Sequence, residues 1–421
     1  MTDTERRVGM TCLGCGLLCD DVTVAVSAGG LSGMAPACAL GSAWLGSGVV
    51  PGHIRTAGEE VSFEAAILAA TTLLAGARGR VLVYLGPGLT IEALKPAVAL
   101  ADRLRAVTDT ATSAAAASGI LAGQRRGRAA ATLGELKNRA DVVLFWGADP
   151  ARTHPRLMER MVAAKGTHAP EGRASRTVLS VRIGSDGVVA GADLSLQLPA
   201  AAELAALSIL RSIVAGGPAP APSPVAGLPD LAARLMSAKY VAIVADGEDA
   251  DPARSSQRAE GLVALAQALN TPTRAALFTL RGGDNRNGVE SLLTWQTGYP
   301  FAVEFRAGVP GYATDRRGLD DIGSVDAALL LGDWRAIPAG AMAALAGLPR
   351  VVIGPAASDA PGKPQVAIDT GRAGIHEGGT GYRMDDVPLP LAAAIDGPRT
   401  AAMVLAALEA AVVRRLREAA A

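Results

Sequence analysis

Four cysteines offer the most specific chemistry in this chain. Cys12, Cys15, Cys19 and Cys38 are its whole cysteine complement, spaced C-x2-C-x3-C-x18-C. Thiolates are soft ligands, and four brought together suit an iron–sulfur cluster or zinc. Cys12, Cys15 and Cys19 can wrap one face of a metal centre, and Cys38 can close the other. Three states fit the spacing: a [4Fe–4S] cluster, structural zinc, or a reduced thiol set with no metal. A bound centre would act at least as folding energy for a small domain.

The elements around the cysteines must place them. Asp20–Val26 alternates polar and apolar residues and predicts a half-buried strand. Gly29-Gly30 predicts a hairpin turn, and Leu31–Met34 a returning strand. Cys38 follows, so the hairpin separates the first three ligands from the last. The segment Val22–Ile54 carries no charge. Its glycines, Pro36 and Pro51 argue against a membrane span and for buried strands and turns.

Beyond this module the pattern is α/β. Phe63–Ala75 has helical period, Arg80–Leu85 reads as a buried strand, and Gly86-Pro87-Gly88 turns into a helix over Thr90–Leu104. A short strand near Ala106–Thr108 leads to Asp109–Ser118. A helix over Leu133–Arg139 precedes Asp141–Trp146, an apolar run suited to a central parallel strand, and Gly147-Ala148-Asp149-Pro150 ends it. Tyr240–Val244, Val325–Leu331 and Arg350–Ile353 repeat the strand and its Gly- or Asp-bearing turn. Ligands of parallel sheets sit beyond such carboxyl ends, although each turn alone is an ordinary βα connection. Ala215–Pro229 predicts a linker or surface loop, and Thr400–Ala420 a final helix with Arg414, Arg415 and Arg417 near its negative end.

Composition narrows the function classes. A chain of 421 residues has room for about two to three domains. Lys+Arg and Asp+Glu balance at 40 each, which excludes a generic nucleic-acid binder and gives little pull toward an anionic membrane. Met1–Arg7 is polar and no signal-like apolar run follows. The cysteine usage and the missing signal predict a cytoplasmic protein.

Several stretches together resemble one family, the B subunit of formylmethanofuran dehydrogenase, a branch of the molybdopterin oxidoreductases. They are Thr11–Asp21, Leu136–Asp141, Phe145–Pro150, His154-Pro155-Arg156, Leu293–Pro300 and Gly379–Asp385. They run the length of the chain in the family's order. The resemblance implies a small N-terminal Cys-rich β domain at 1–57 and two interleaved parallel-sheet α/β domains. One would take 58–145 with 322–421, the other 146–321. It also implies a cleft for a pterin guanine dinucleotide, with Gly147, Asp149, Arg281, Gly379, Thr380 and Arg383 along it.

The redox members of the family hold tungsten or molybdenum through a cysteine in a Cys-His-Gly-Pro-like run after Thr-Ala-Thr. Here Thr110-Ala111-Thr112 is followed by Ser113-Ala114-Ala115. Ala114 stands at the ligand position and Ala115 at the adjacent histidine. Alanine neither coordinates a metal nor transfers a proton. Ser113 is the remaining oxygen donor. Leu40 stands where many of these oxidoreductases carry a basic residue between cluster and pterin.

With this erosion the chain resembles the B subunit of formyltransferase/hydrolase complexes in methylotrophic bacteria. The resemblance then implies a structural subunit with no tungsten or molybdenum pterin. Its implied partners are an amidohydrolase-like hydrolase subunit, a formyltransferase subunit and a further small subunit. The alternatives are a redox-active subunit with an unusual ligand, or a cluster-only electron carrier. Arg281 could bind formate as a bidentate partner or serve as a loop arginine with a structural partner. His154, at a helix start, reads as structural. His376 precedes the glycines of the expected pterin loop.

Overall fold

The computed structural model describes residues 5–27, 30–184, 187, 189–218, 225–248, 252–319 and 324–421. Gly29 of the predicted hairpin and residues 219–224 of the predicted linker lie outside them. The chain divides into two compact units, Met1–Ala114 with Gly282–Ala421, and Ala115–Arg281.

The first unit holds a nine-stranded sheet. Its five central strands run in the order Val107–Thr110, Val81–Leu85, Ala327–Leu331, Arg350–Gly354 and Val366–Asp369, all parallel. Short antiparallel strands close both sides, Val303–Glu304 and Gly311–Tyr312 on one and Ile54–Thr56 and Glu59–Glu60 on the other. Because side chains alternate across a strand, Val81, Val83 and Leu85 enter one core and Leu82 and Tyr84 the other. Helices Phe63–Gly76, Ile91–Leu104 and Ala401–Glu418 supply the first core. Ser62, Thr90 and Thr400 start them by accepting a bond from the backbone N–H three residues on.

A separate three-stranded antiparallel sheet, Glu5–Met10, Val22–Ser27 and Gly30–Ala35, carries the cysteine region. The run Val22–Ile54 is not all strands and turns. Ala39–Gly46 is a helix, begun by Cys38, whose Sγ accepts from Gly41 N at 3.3 Å. The strand Glu5–Met10 gives no signal in its polar sequence, since five of its six residues are exposed.

The second unit is a five-stranded parallel sheet in the order Leu194–Leu198, Thr177–Ile183, Val142–Trp146, Val241–Asp246 and Ala275–Leu280. Helices Glu203–Val214, Leu228–Ser237 and Pro252–Leu269 pack on it.

These pairings shift the expected domain boundaries. Residues 115–145 belong with the second unit, because Val142–Trp146 is the centre of its sheet. Residues 282–321 belong with the first, because Val303–Glu304 pairs with Val107–Thr110. The 1–57 module gives its last residues, Ile54–Thr56, to the large sheet. Among the described residues no helix is long and apolar enough to cross a membrane.

Candidate functional site

The cysteine loop is held by backbone packed on backbone. Cys12 N donates to Cys19 O at 2.9 Å, and Leu18 N to Cys15 O at 3.2 Å. Leu13 O takes the Asp284 N–H at 2.8 Å, and Gly16 O takes that of Met384 at 3.0 Å. A Cβ on Gly283 would lie 2.2 Å from Leu13 O, and one on Gly14 would lie 2.6 Å from Leu40 O. Glycine is required at both for the loops to approach this closely. Gly283 thus lies against the cysteine loop of its own unit.

Cys12, Cys15 and Cys19 are buried and Cys38 half-buried, all as free thiols. Burial pushes the Cys12 thiol up to about 12, with the neighbouring Cys19, Cys15 and Cys38 adding to it and the Gly14 N–H opposing. The donor chemistry suits a cluster or zinc. Among the described residues, however, no three His, Cys, Asp or Glu side chains are arranged to hold one metal ion. The four thiols share a neighbourhood, since Cys19, Cys15 and Cys38 each raise the Cys12 pKa.

At the expected metal-ligand position the chain makes a helix start. Ser113–Arg126 is helical. Ser113 is fully buried, donates from Oγ to Asp109 Oδ2 at 2.8 Å and accepts from Gly318 N at 3.0 Å. Both hydroxyl roles are spent inside the protein, so Ser113 is not an available oxygen ligand. Ala114 is exposed and Ala115 half-buried. A Cβ on Gly318, at φ +73, would sit 3.0 Å from that of Ala114.

Asp109 is the knot beneath. It is fully buried and also accepts from Gly318 N at 2.8 Å and Ala302 N at 3.2 Å. Burial pushes its carboxyl up to about 6 against those bonds. Nearby Thr112 donates to buried Glu290 at 2.6 Å.

The residues expected along a pterin cleft fall in both units. In the second, Gly147 turns the chain at φ +54 after its strand. Asp149 accepts from Ala151 N at 3.2 Å. Arg281 is buried and its Nε donates to Glu248 at 2.9 Å, so it is a structural arginine. His154, also buried, donates from Nε2 to Arg281 O at 2.9 Å, and burial holds its pKa below the usual value. It positions the loop, although it closes the helix Pro150–Thr153 rather than opening a helix as expected.

In the first unit, Gly379 lets the strand Gly379–Tyr382 lie against Glu92, because a Cβ would be 2.3 Å from Glu92 Oε2. Thr380 donates to the same carboxylate through N at 2.8 Å and Oγ1 at 2.9 Å. Arg383 grips Asp385 through two bonds, 2.6 and 2.8 Å. His376 is buried, accepts from Arg372 N at 3.0 Å, and is held below its usual pKa by burial and by the Arg372 charge. The polar side chains of the set are therefore turned to protein partners, which is a poor fit to a receptive dinucleotide site.

Sequence reasoning missed the charged layer at the strand ends of the first unit. Buried Arg372 donates to Asp333 at 2.5 Å and lies 3.8 Å from Asp284, while Arg335 holds Asp333 from the other side at 2.8 Å. Burial holds Asp284 above its usual pKa, whereas the arginines hold Asp333 below. Arg372 Nε and Trp44 Nε1 are buried with no partner among the described residues. The Gly332-Asp333 turn was the available signal, but its arginine comes from 39 residues away.

No family profile matches the chain. It is 32% identical over 420 residues to the B subunit of the tungsten-containing formylmethanofuran dehydrogenase 2 of Methanocaldococcus jannaschii, covering 94% of this chain and 95% of that one. The chain belongs to the family of formylmethanofuran dehydrogenase B subunits. Within that family it is also 29% identical to the B subunit of the formyltransferase/hydrolase complex Fhc of Methylorubrum extorquens, over 59% of this chain and 65% of that one. A chain of the crystal structure of that organism's formyltransferase/hydrolase complex with methylofuran superposes with a TM-score of 0.73 at 28% identity. The match covers 86% of this chain and 99% of that one. The mixed α/β fold with parallel sheets is therefore that of a family member found in a multi-subunit complex.

Proposed function

We propose that this chain is a non-catalytic, structural B subunit of a formyltransferase/hydrolase complex in the cytoplasm. In such a complex a formyl group passes from a tetrahydromethanopterin carrier to a methanofuran-like carrier and leaves as formate. Neither step changes the oxidation state of carbon, so a tungsten or molybdenum centre has no task. The amidohydrolase-like hydrolase subunit and the formyltransferase subunit perform them, with a further small subunit completing the assembly. One observation carries the reading. The ligand and proton-relay positions are Ala114 and Ala115, and the remaining donor, Ser113, is buried with both hydroxyl roles in use. Arg281, paired with Glu248, adds support because it is not free to bind formate.

The four cysteines serve folding of the N-terminal module in this reading, and a [4Fe–4S] cluster or zinc bound there would add to its stability. A tungsten-dependent subunit is the second reading, favoured by the longer match to the methanogen relative. Metal analysis of the anaerobically purified native complex separates the two. Tungsten and molybdenum at background, with formate still released, is expected. Either metal at one per chain overturns the structural reading. Deleting the chain should then impair assembly of the remaining subunits.

A further inference from the structure

The run Arg125–Arg128 has no part in the site described above. The last turn of the helix Ser113–Arg126 brings Arg125 and Arg126 to a surface groove of about 350 Å³ in the second unit. Arg211, near the end of the helix Glu203–Val214, stands on the same groove. Among the described residues the one acid lining it is Glu260, and Arg125 and Arg126 share it, with Arg125 Nε at 2.8 Å from Oε1. Those two guanidiniums hold the Glu260 carboxyl below its usual pKa. Arg211 is exposed, and its guanidinium has no partner among the described residues. The lining thus carries a net charge of +2 on a chain whose charges sum to zero. Ser208 and Gln257 add donors, and Leu204 and Leu207 make the floor apolar.

These features select among anions. The volume is roughly ten times that of a water molecule, too large for one inorganic phosphate to fill, and such an ion gains nothing from an apolar floor. Nucleic acid is disfavoured because the lining has no aromatic ring on which a base could stack. A peptide with spaced carboxylates and intervening apolar side chains uses both the rim and the floor. We propose that this groove receives an acidic peptide segment of a partner subunit, with Arg211 as its free guanidinium. The choice of a partner subunit rests on the reading of the chain as part of a complex.

The test uses the full chain and a fluorescein-labelled hexapeptide of four glutamates and two leucines, followed by anisotropy at low salt. Binding that weakens as salt rises is expected. Arg211→Glu should weaken it about tenfold, one exposed pair lost and one repulsion gained, while Arg211→Lys keeps most of it. Among the described residues Arg211 has no partner to lose, so an unchanged thermal unfolding curve is expected for both variants. Equal binding to Arg211→Glu overturns the proposal. So does equal binding of the same peptide with glutamines for glutamates, or displacement of the peptide by inorganic phosphate or an oligonucleotide at lower concentration than by unlabelled peptide. Copurification of partner subunits with the wild-type chain is scored separately. Partners retained with no peptide binding would sink the groove and spare the reading of the chain as part of a complex. No partners would sink that reading itself.

Discussion

Asp109 offers a sharp physical test, because it ties down the helix that begins where the family's metal ligand would stand. Its two oxygens accept from Ser113, Gly318 and Ala302 while it is fully buried. Burial outweighs those bonds and raises its pKa from 3.8 to about 6. A raised carboxyl pKa means the folded chain holds the proton more tightly than the unfolded chain. Between those two pH values the unfolded state has released its proton and the folded state keeps it. Stability therefore falls as the pH rises through this window and levels off above it. A shift from 3.8 to about 6 corresponds to about 3 kcal/mol at neutral pH. Asn at this position cannot ionise. The stability difference between Asp109→Asn and wild type should therefore move in favour of Asn by about 3 kcal/mol between pH 3 and pH 7. Urea unfolding at several pH values measures it. Taking the difference cancels the other raised carboxyls, Asp284 and Glu377, which titrate in both proteins. Parallel loss of stability by variant and wild type across the window would refute the reasoning.

Other perturbations test the frame. Glu377 is buried and accepts from Thr90 Oγ1 and from Ala401 N and Ala402 N at the start of the last helix. Glu377→Ala leaves those donors unmatched and should cost about 2–4 kcal/mol in urea unfolding. Arg258 pairs with Glu203 at 2.8 Å, both nearly inaccessible, and Arg258→Ala should cost about 3–5 kcal/mol by leaving a buried carboxylate. With its pKa near 12, Cys12 in metal-free, reduced protein should alkylate at pH 8 roughly a thousandfold more slowly than in urea, read by mass spectrometry. Gly283→Ala, whose Cβ would meet Leu13 O, should speed that alkylation markedly.

Much of the α/β layering is legible because its determinants are local. Arg80–Leu85 and Asp141–Trp146 are apolar runs closed by Gly or Asp turns, and both are buried strands, Val81–Leu85 and Val142–Trp146. The helix Leu133–Arg139 has the predicted bounds. What stays hidden is long-range. No periodicity in Val142–Trp146 says which sheet it enters, so the sequence groups residues 115–145 with the first unit while the strand pairing puts them in the second. The helix Ala39–Gly46 is hidden because its eight residues include two glycines and a serine. At the site, the alanines are visible in sequence, but the role of Asp109 is not. A lone acid in a short strand gives no pattern of its own, and beyond Ser113, four residues on, the N–H groups it accepts come from 193 and 209 residues away.

A cofactor stabilises the fold that binds it by mass action, so a chain that lost its cofactor would lose that stabilisation unless its polar groups found other partners. In the first unit those partners are present. Arg383 holds Asp385, Thr380 holds Glu92, and Arg372 holds Asp333. None of these contacts needs a bound dinucleotide to satisfy its charges. Some buried donors stay unpartnered among the described residues, Arg372 Nε and Trp44 Nε1 among them, and a single water would meet the need of each. Gly283 and Gly14, which let neighbouring backbone approach closely, likewise serve a packed frame whether or not the thiols hold metal. In the proposed reading the subunit keeps the shape on which neighbours assemble, and internal ion pairs and close-packed loops hold that shape.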